Sequence, residues 1–150
     1  MPSCQEHDLC IAVQENNVEA VQCLVKNGAN INIRCNSEAE RTPLHQAALI
    51  KDFTDVMQFL LQHGADIHAR DNALNTPLHI AASYGHTNAV RVLITHGADV
   101  NGLTDPENTS ILRKTPLYLA IVQLTSHCTE TVQLLLENNA NVNQCNYYDN

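Results

Sequence analysis

Thr76-Pro77-Leu78-His79-Ile80-Ala81-Ala82 has a near copy upstream, Thr42-Pro43-Leu44-His45-Gln46-Ala47-Ala48. A third version, Thr115-Pro116-Leu117-Tyr118-Leu119-Ala120, lies downstream, and the threonines are 34 and 39 residues apart. A second phrase follows each copy: His63-Gly64-Ala65-Asp66-Ile67-His68, His96-Gly97-Ala98-Asp99-Val100-Asn101 and Asn139-Ala140-Asn141-Val142-Asn143. It also occurs first as Asn27-Gly28-Ala29-Asn30-Ile31-Asn32, so Asp8 to Gln14 holds the place of the first phrase. Self-similarity at this period marks like supersecondary units that stack. The units run approximately 7–35, 36–70, 71–103 and 104–145 of a single 150-residue domain.

The third unit shows the local physics most plainly. Thr76 is an N-cap residue type, and Pro77 suits the first helical position, where its missing N–H costs nothing. Leu78, Ala81 and Ala82 give a short apolar face, and Gly85 ends that helix. A second helix is expected from about Thr87 to His96, with Val90, Leu93 and Ile94 as its apolar stripe. Gly97 takes the left-handed position after it. Neither helix is long enough to stand alone in water. Each unit must bury its faces against its neighbours, which gives an all-α solenoid with one continuous core.

On these two phrases, the chain resembles the ankyrin-repeat family over nearly its whole length, from about Asp8 to Asn143. The resemblance implies stacked helix-turn-helix units with a β-hairpin finger between units. It also implies that His45 and His79 brace loops by hydrogen bonds, and that the curved stack grips proteins with its finger tips and inner helices.

The chain departs from that pattern in places. The first unit has His7-Asp8-Leu9-Cys10 where Thr-Pro-Leu-His would stand, and polar residues there suit a terminal cap. The second unit carries an extra residue within Leu49–Asp55, so its inter-helix turn should bulge. The finger at 102–114 is about six residues longer than the repeat phase allows, and its polar composition reads as an exposed loop. About three more residues are inserted around Leu124 to Cys128. Asn139 replaces the capping glycine. The fourth unit keeps an apolar second helix, with Val132, Leu134, Leu135 and Leu136. The expectation is a piece of a longer array or an end covered by a partner; the chain is otherwise a monomer unless that end self-associates.

Charge excludes some functions. The formal net charge is −8, from 16 acidic and 8 basic residues, and Arg113-Lys114 is the only adjacent basic pair. A phosphate backbone needs a basic stripe, so no nucleic-acid partner is expected, and no membrane partner either. The acidic excess favours a protein partner with a basic or neutral face. Met1 to Glu6 lacks the basic and apolar regions of a secretory signal, so a cytoplasmic and/or nuclear protein is expected. The six cysteines, Cys4, Cys10, Cys23, Cys35, Cys128 and Cys145, include no Cys-x-x-Cys pair. Without a secretory signal they read as free thiols.

Catalysis is not expected. Most of the eight histidines have repeat positions. No His/Cys spacing fits a zinc site, and no phosphate-binding loop or nucleophile motif is present. The expectation is no enzyme, no cofactor and no metal.

Residues that define the repeat build the stack, so variable ones are left to choose a partner. The two positions after Ala-Ala are Leu49 and Ile50, Ser83 and Tyr84, and Val122 and Gln123. The position after the histidine is Gln46, Ile80 and Leu119. These are expected on the concave side, with Tyr84 as the leading anchor because aromatic residues dominate binding hot spots. Leu74 lies at a finger tip where the family commonly has glycine. Arg70, Asn72 and Asn75 belong to the polar rim, with Arg34, Asn36, Glu38 and Glu40. The expected function is protein binding as a scaffold or inhibitor. The alternative is an adaptor arm of a larger protein, such as a ubiquitin-ligase receptor, a symbiont or viral effector, or an ankyrin-bearing enzyme.

Overall fold

The computed structural model describes residues 4–35, 38–104, 113–122 and 128–144, apart from the side chains of residues 4–7 and 128. These residues form four helix pairs: α1 (Cys4–Gln14) with α2 (Val18–Lys26), α3 (Pro43–Leu49) with α4 (Thr54–Gln62), α5 (Pro77–Ser83) with α6 (Thr87–Thr95), and α7 (Pro116–Val122) with α8 (Cys128–Glu137). First helices pack on first helices in the order α1, α3, α5, α7, and second helices in the order α2, α4, α6, α8.

The repeat residues dictate this arrangement. Thr42 and Thr76 sit in extended conformation just before their helices, and Pro43 and Pro77 open them. Leu9, Leu44, Leu78 and Leu117 recur at one position of the first helices and are essentially inaccessible to water. Leu60, Leu93 and Leu135 do the same in the second helices, and all seven join one cluster. Each fully buried leucine contributes about 1.5–3 kcal/mol. Alanines at 47, 48, 81, 82 and 120 are buried in the same cluster and let first helices approach closely.

The turns follow the sequence too. Gly97 has φ +92°, and Asn139 adopts φ +65° at the equivalent place in the fourth unit. Asparagine tolerates that region better than other side chains. The bulged turn of the second unit is present between Leu49 and Thr54, with Asp52 at φ +68°. The inserted residues at 123–127 and the middle of the long finger, 105–112, lie outside the described residues.

Two expectations need revision. The fingers carry no strand among the described residues. Each is closed instead by a backbone bond at its base: Cys35 N–H to Arg41 O at 2.7 Å, Asp71 N–H to Asn75 O at 3.0 Å, and Thr104 N–H to Lys114 O at 3.0 Å. Single closures hold a hairpin-like turn without a ladder. The second revision concerns Cys10 and Cys35, which are joined in a disulfide with Cα atoms 5.5 Å apart. Free thiols were expected because Met1 to Glu6 lacks a secretory signal. Spacing does not register that the first finger folds back onto α1 and brings together residues 25 apart. Cys23 remains free and exposed on α2.

Candidate protein-binding face

The fingers are laced to one another by side chains that reach backbone carbonyls. Arg34 donates to Glu40 O in its own finger and to Arg70 O in the next, each at 2.5 Å. Arg70, at the like place one unit on, donates to Leu74 O at 2.8 Å and crosses to Leu103 O and Thr104 O at 2.9 and 3.0 Å. The Asn72 amide nitrogen donates to Ala39 O at 3.0 Å, and its side chain bonds Glu38 O. Asp71 is buried and its Oδ1 accepts the amides of Ala73 and Asn75 at 3.0 and 2.9 Å. Its other oxygen lies 3.6 Å from Arg41 Nε of the preceding finger.

Histidines join this lacing to the first helices. The Thr76 amide can only donate, and it points at His79 Nδ1 at 3.3 Å, so Nδ1 accepts and the proton resides on Nε2. Nε2 then donates to Gly102 O at 3.0 Å and Lys114 O at 3.1 Å in the third finger. His45 repeats the arrangement, with Thr42 N–H on Nδ1 and Asn75 O at 3.0 Å from Nε2. Burial holds the His45 imidazole below its usual pKa and takes His79 down to about 4, against the opposing pull of these carbonyls. Both rings are bracing elements, as the resemblance implied.

A recess of about 430 Å³ opens where the fingers meet the first helices. It is lined by Arg41, Asn75, His79, Ile80, Ser83, Tyr84, Lys114 and Leu119, with no carboxylate among them. Tyr84 is 55 % exposed and also borders a second recess of about 480 Å³ on the inter-helix turn side, with Lys51, Asp52 and Glu130. Its ring stacks on His86, centroids 5.7 Å apart, and His86 Nδ1 is 3.1 Å from Ala48 O of the neighbouring unit. An exposed aromatic ring thus lies between two recesses, stacked on His86.

The structure places the expected site residues in different settings. Tyr84, Ser83, Leu119 and Asn75 are brought together at the first recess. Leu74 and Val122 are exposed, and Leu49 and Ile50 are half-buried. Gln46 and Ile80, expected on the open stripe, are buried, at 6 % and 4 % exposure, although Ile80 also borders the first recess. Arg70, Asn72 and Asn75 were read as rim, but their polar groups are engaged in joining fingers. Gln123 and Asn36 lie outside the described residues. Arg41 and Lys114 escaped the sequence reading. They share one repeat position with Asn75, immediately before each threonine, and that register was the available signal. Lys114 brings a positive charge to the recess, while that of Arg41 faces Asp71 at 3.6 Å.

The chain matches the family described as ankyrin repeats (3 copies) over residues 9–104 and again over residues 71–146. It belongs to the ankyrin-repeat family. Human 2-5A-dependent ribonuclease is 40 % identical to it over 79 residues, covering 53 % of this chain and 10 % of that protein. A putative ankyrin repeat protein of fowlpox virus, FPV031, is 38 % identical over 85 residues, covering 54 % of this chain and 24 % of the viral protein. The rat Arf-GAP with coiled-coil, ANK repeat and PH domain-containing protein 2 is 37 % identical over 79 residues, or 53 % of this chain and 10 % of that protein. The chain therefore spans a tenth to a quarter of the length of these relatives.

Ankyrin repeats are a non-catalytic fold that mediates protein–protein interaction. Among the described residues of this ankyrin stack, no three His, Cys, Asp or Glu side chains gather as a metal site would require. No helix there is long and apolar enough to cross a membrane.

Proposed function

We propose that this ankyrin stack binds a protein segment along its finger and first-helix side, acting as a scaffold or inhibitor. The observation that carries this is Tyr84, an exposed aromatic ring stacked on His86 between two recesses. Aromatic anchors that lose little conformational freedom on binding are the usual centres of protein hot spots. Lys114 beside it favours an acidic or hydroxyl-bearing group at that point of contact. The chain's negative field elsewhere favours basic flanks on the same partner.

The strain at Leu74 supports the same face. This leucine sits at the finger tip with φ +61° and stays exposed. A bulky side chain in that region costs about 1–2 kcal/mol. Leu74 keeps 39 % of its surface exposed on this face, where a partner contact would offset part of the cost.

The test replaces Tyr84 with a photo-crosslinking phenylalanine analogue and, separately, places the same analogue at Arg91 on the opposite, second-helix side. A protein captured from Tyr84 and not from Arg91, and lost on Lys114→Glu, supports the reading. Capture from Arg91 alone overturns it.

A second reading is an adaptor arm of a larger protein, favoured by the small share of each relative that the chain covers. The binding act is the same in both. Sequencing the source transcript on both sides of this stretch distinguishes them. The proposal includes residence in the cytoplasm or nucleus, which imaging of the tagged chain tests.

A further inference from the structure

Cys10 occupies the first-unit position that His45 and His79 hold in the second and third units, four residues into the His7-Asp8-Leu9-Cys10 stretch. In those units the residue at this position reaches across to the following finger, where imidazole Nε2 meets Asn75 O, or Gly102 O and Lys114 O. Cys10 reaches across in the same direction and meets Cys35, which opens the first finger. Cys35 in turn matches Asp71 of the second finger, since each donates its amide to the carbonyl that closes its finger. The first unit has therefore replaced a hydrogen-bonded brace with a pair of thiols.

We propose that Cys10 and Cys35 form a redox modification site that fastens the first finger to α1 when oxidised and releases it when reduced. The imidazole braces of the other units hold in any redox state, whereas this one holds only as a disulfide. Its effect reaches beyond the first unit. Arg34, adjacent to Cys35, bonds Arg70 O, and the tip of the first finger receives Asn72 at Glu38 O and Ala39 O.

The chemistry is thiol–disulfide exchange with a low-molecular-weight disulfide of the glutathione class. The half-buried Cys35 gives up its proton, and its thiolate attacks one sulfur of that disulfide, expelling a thiolate. Cys10, once deprotonated, attacks the Cys35 sulfur of the mixed disulfide and expels the second thiolate. Two protein thiols lose two protons and two electrons in total, and the small disulfide gains both as two thiols. A dithiol reductant runs the sequence backwards. Cys23, exposed and free on α2, is the internal comparison: the same reagent leaves it as a mixed disulfide or a thiol.

The full chain is equilibrated with glutathione disulfide or with dithiothreitol, trapped by alkylation, and read by peptide mass spectrometry and amide hydrogen exchange. The expected result is a linked Cys10–Cys35 peptide pair in the oxidised sample. The Cys35 amide should exchange at least roughly tenfold more slowly there, and the unfolding midpoint should rise by roughly 10 °C, as closing a loop of this size implies. The Cys10→His variant, which restores the residue used by the other units, should protect the same amide without regard to redox state. Failure to find the linked pair, or equal exchange of the first finger in oxidised and reduced wild type, overturns the proposal. The wild-type comparison decides the matter alone if the variant does not fold. Neither readout needs the partner, so the site stands or falls separately from the binding role.

Discussion

The imidazole of His79 holds the carbonyl oxygen of Lys114 at 3.1 Å, across the boundary between the third and fourth units. The bond from the Thr76 amide to Nδ1 at 3.3 Å requires a neutral ring, because a proton on Nδ1 would displace it, and burial disfavours the charged ring as well.

Acid should therefore loosen the stack before its carboxylates titrate. The folded-state pKa of His79 is lowered to about 4, mainly by burial, and His45 is shifted the same way. Between the unfolded value of about 6.5 and about 4, the unfolded chain binds protons that the folded chain refuses, so stability falls as pH falls through that window. For His79 the loss is on the order of 3 kcal/mol once complete. Urea unfolding at pH 7 and pH 5 should show a large drop for the wild type and a smaller one for His79→Gln.

Asp71→Asn should destabilise by about 1–3 kcal/mol, since an amide there keeps at most part of the turn bonding and loses the charge facing Arg41. Thermal unfolding measures the loss. If the finger lacing matters as described, amide exchange should accelerate at Ala73 and Asn75 in the same variant.

Leu74→Gly should do the reverse for the isolated chain. Relief of the left-handed backbone strain is worth about 1 kcal/mol after allowing for the greater freedom of glycine in the unfolded chain. If Leu74 is kept for a partner, the same variant binds more weakly while melting at a higher temperature. A variant that is less stable contradicts the strain argument.

The asparagine ladder gives a constructive test. Asn32 bridges to Gly64 O at 3.2 Å and to the Asp66 amide at 2.8 Å, and Asn101 bridges likewise to Asn139 O at 3.1 Å and the Asn141 amide at 2.7 Å. His68 holds the same repeat position at the junction between them, exposed and without that bridge. His68→Asn should complete the ladder and stabilise by about 0.5–1.5 kcal/mol. Chemical denaturation of His68→Asn beside Asn32→Ala, which should lose a similar amount, gives both signs in one experiment.

These residues also show what the sequence made legible. The helix boundaries of the third unit, the left-handed Asn139 and the bracing histidines all follow from local chemistry repeated in register. Periodicity could not foretell the Cys10–Cys35 bond, because it joins a helix to a finger through a fold-back that thiol spacing does not encode. Nor could it separate Arg70 from a free rim residue, because its partners are carbonyl groups that every residue possesses. Gln46 and Ile80 occupy a variable position and are nonetheless buried, so variability and exposure part company there. Arg41 and Lys114 carry no pattern as single charges until the threonine register aligns them.

The carbonyl-directed lacing of the fingers has a consequence for how such a surface changes over generations. A joint that grips main-chain oxygens is indifferent to which side chains its neighbour carries. On the binding role proposed above, substitutions at Leu74, Tyr84 or Lys114 would redirect recognition while the joints stay intact, and new specificities would be sampled without first repairing the architecture that displays them.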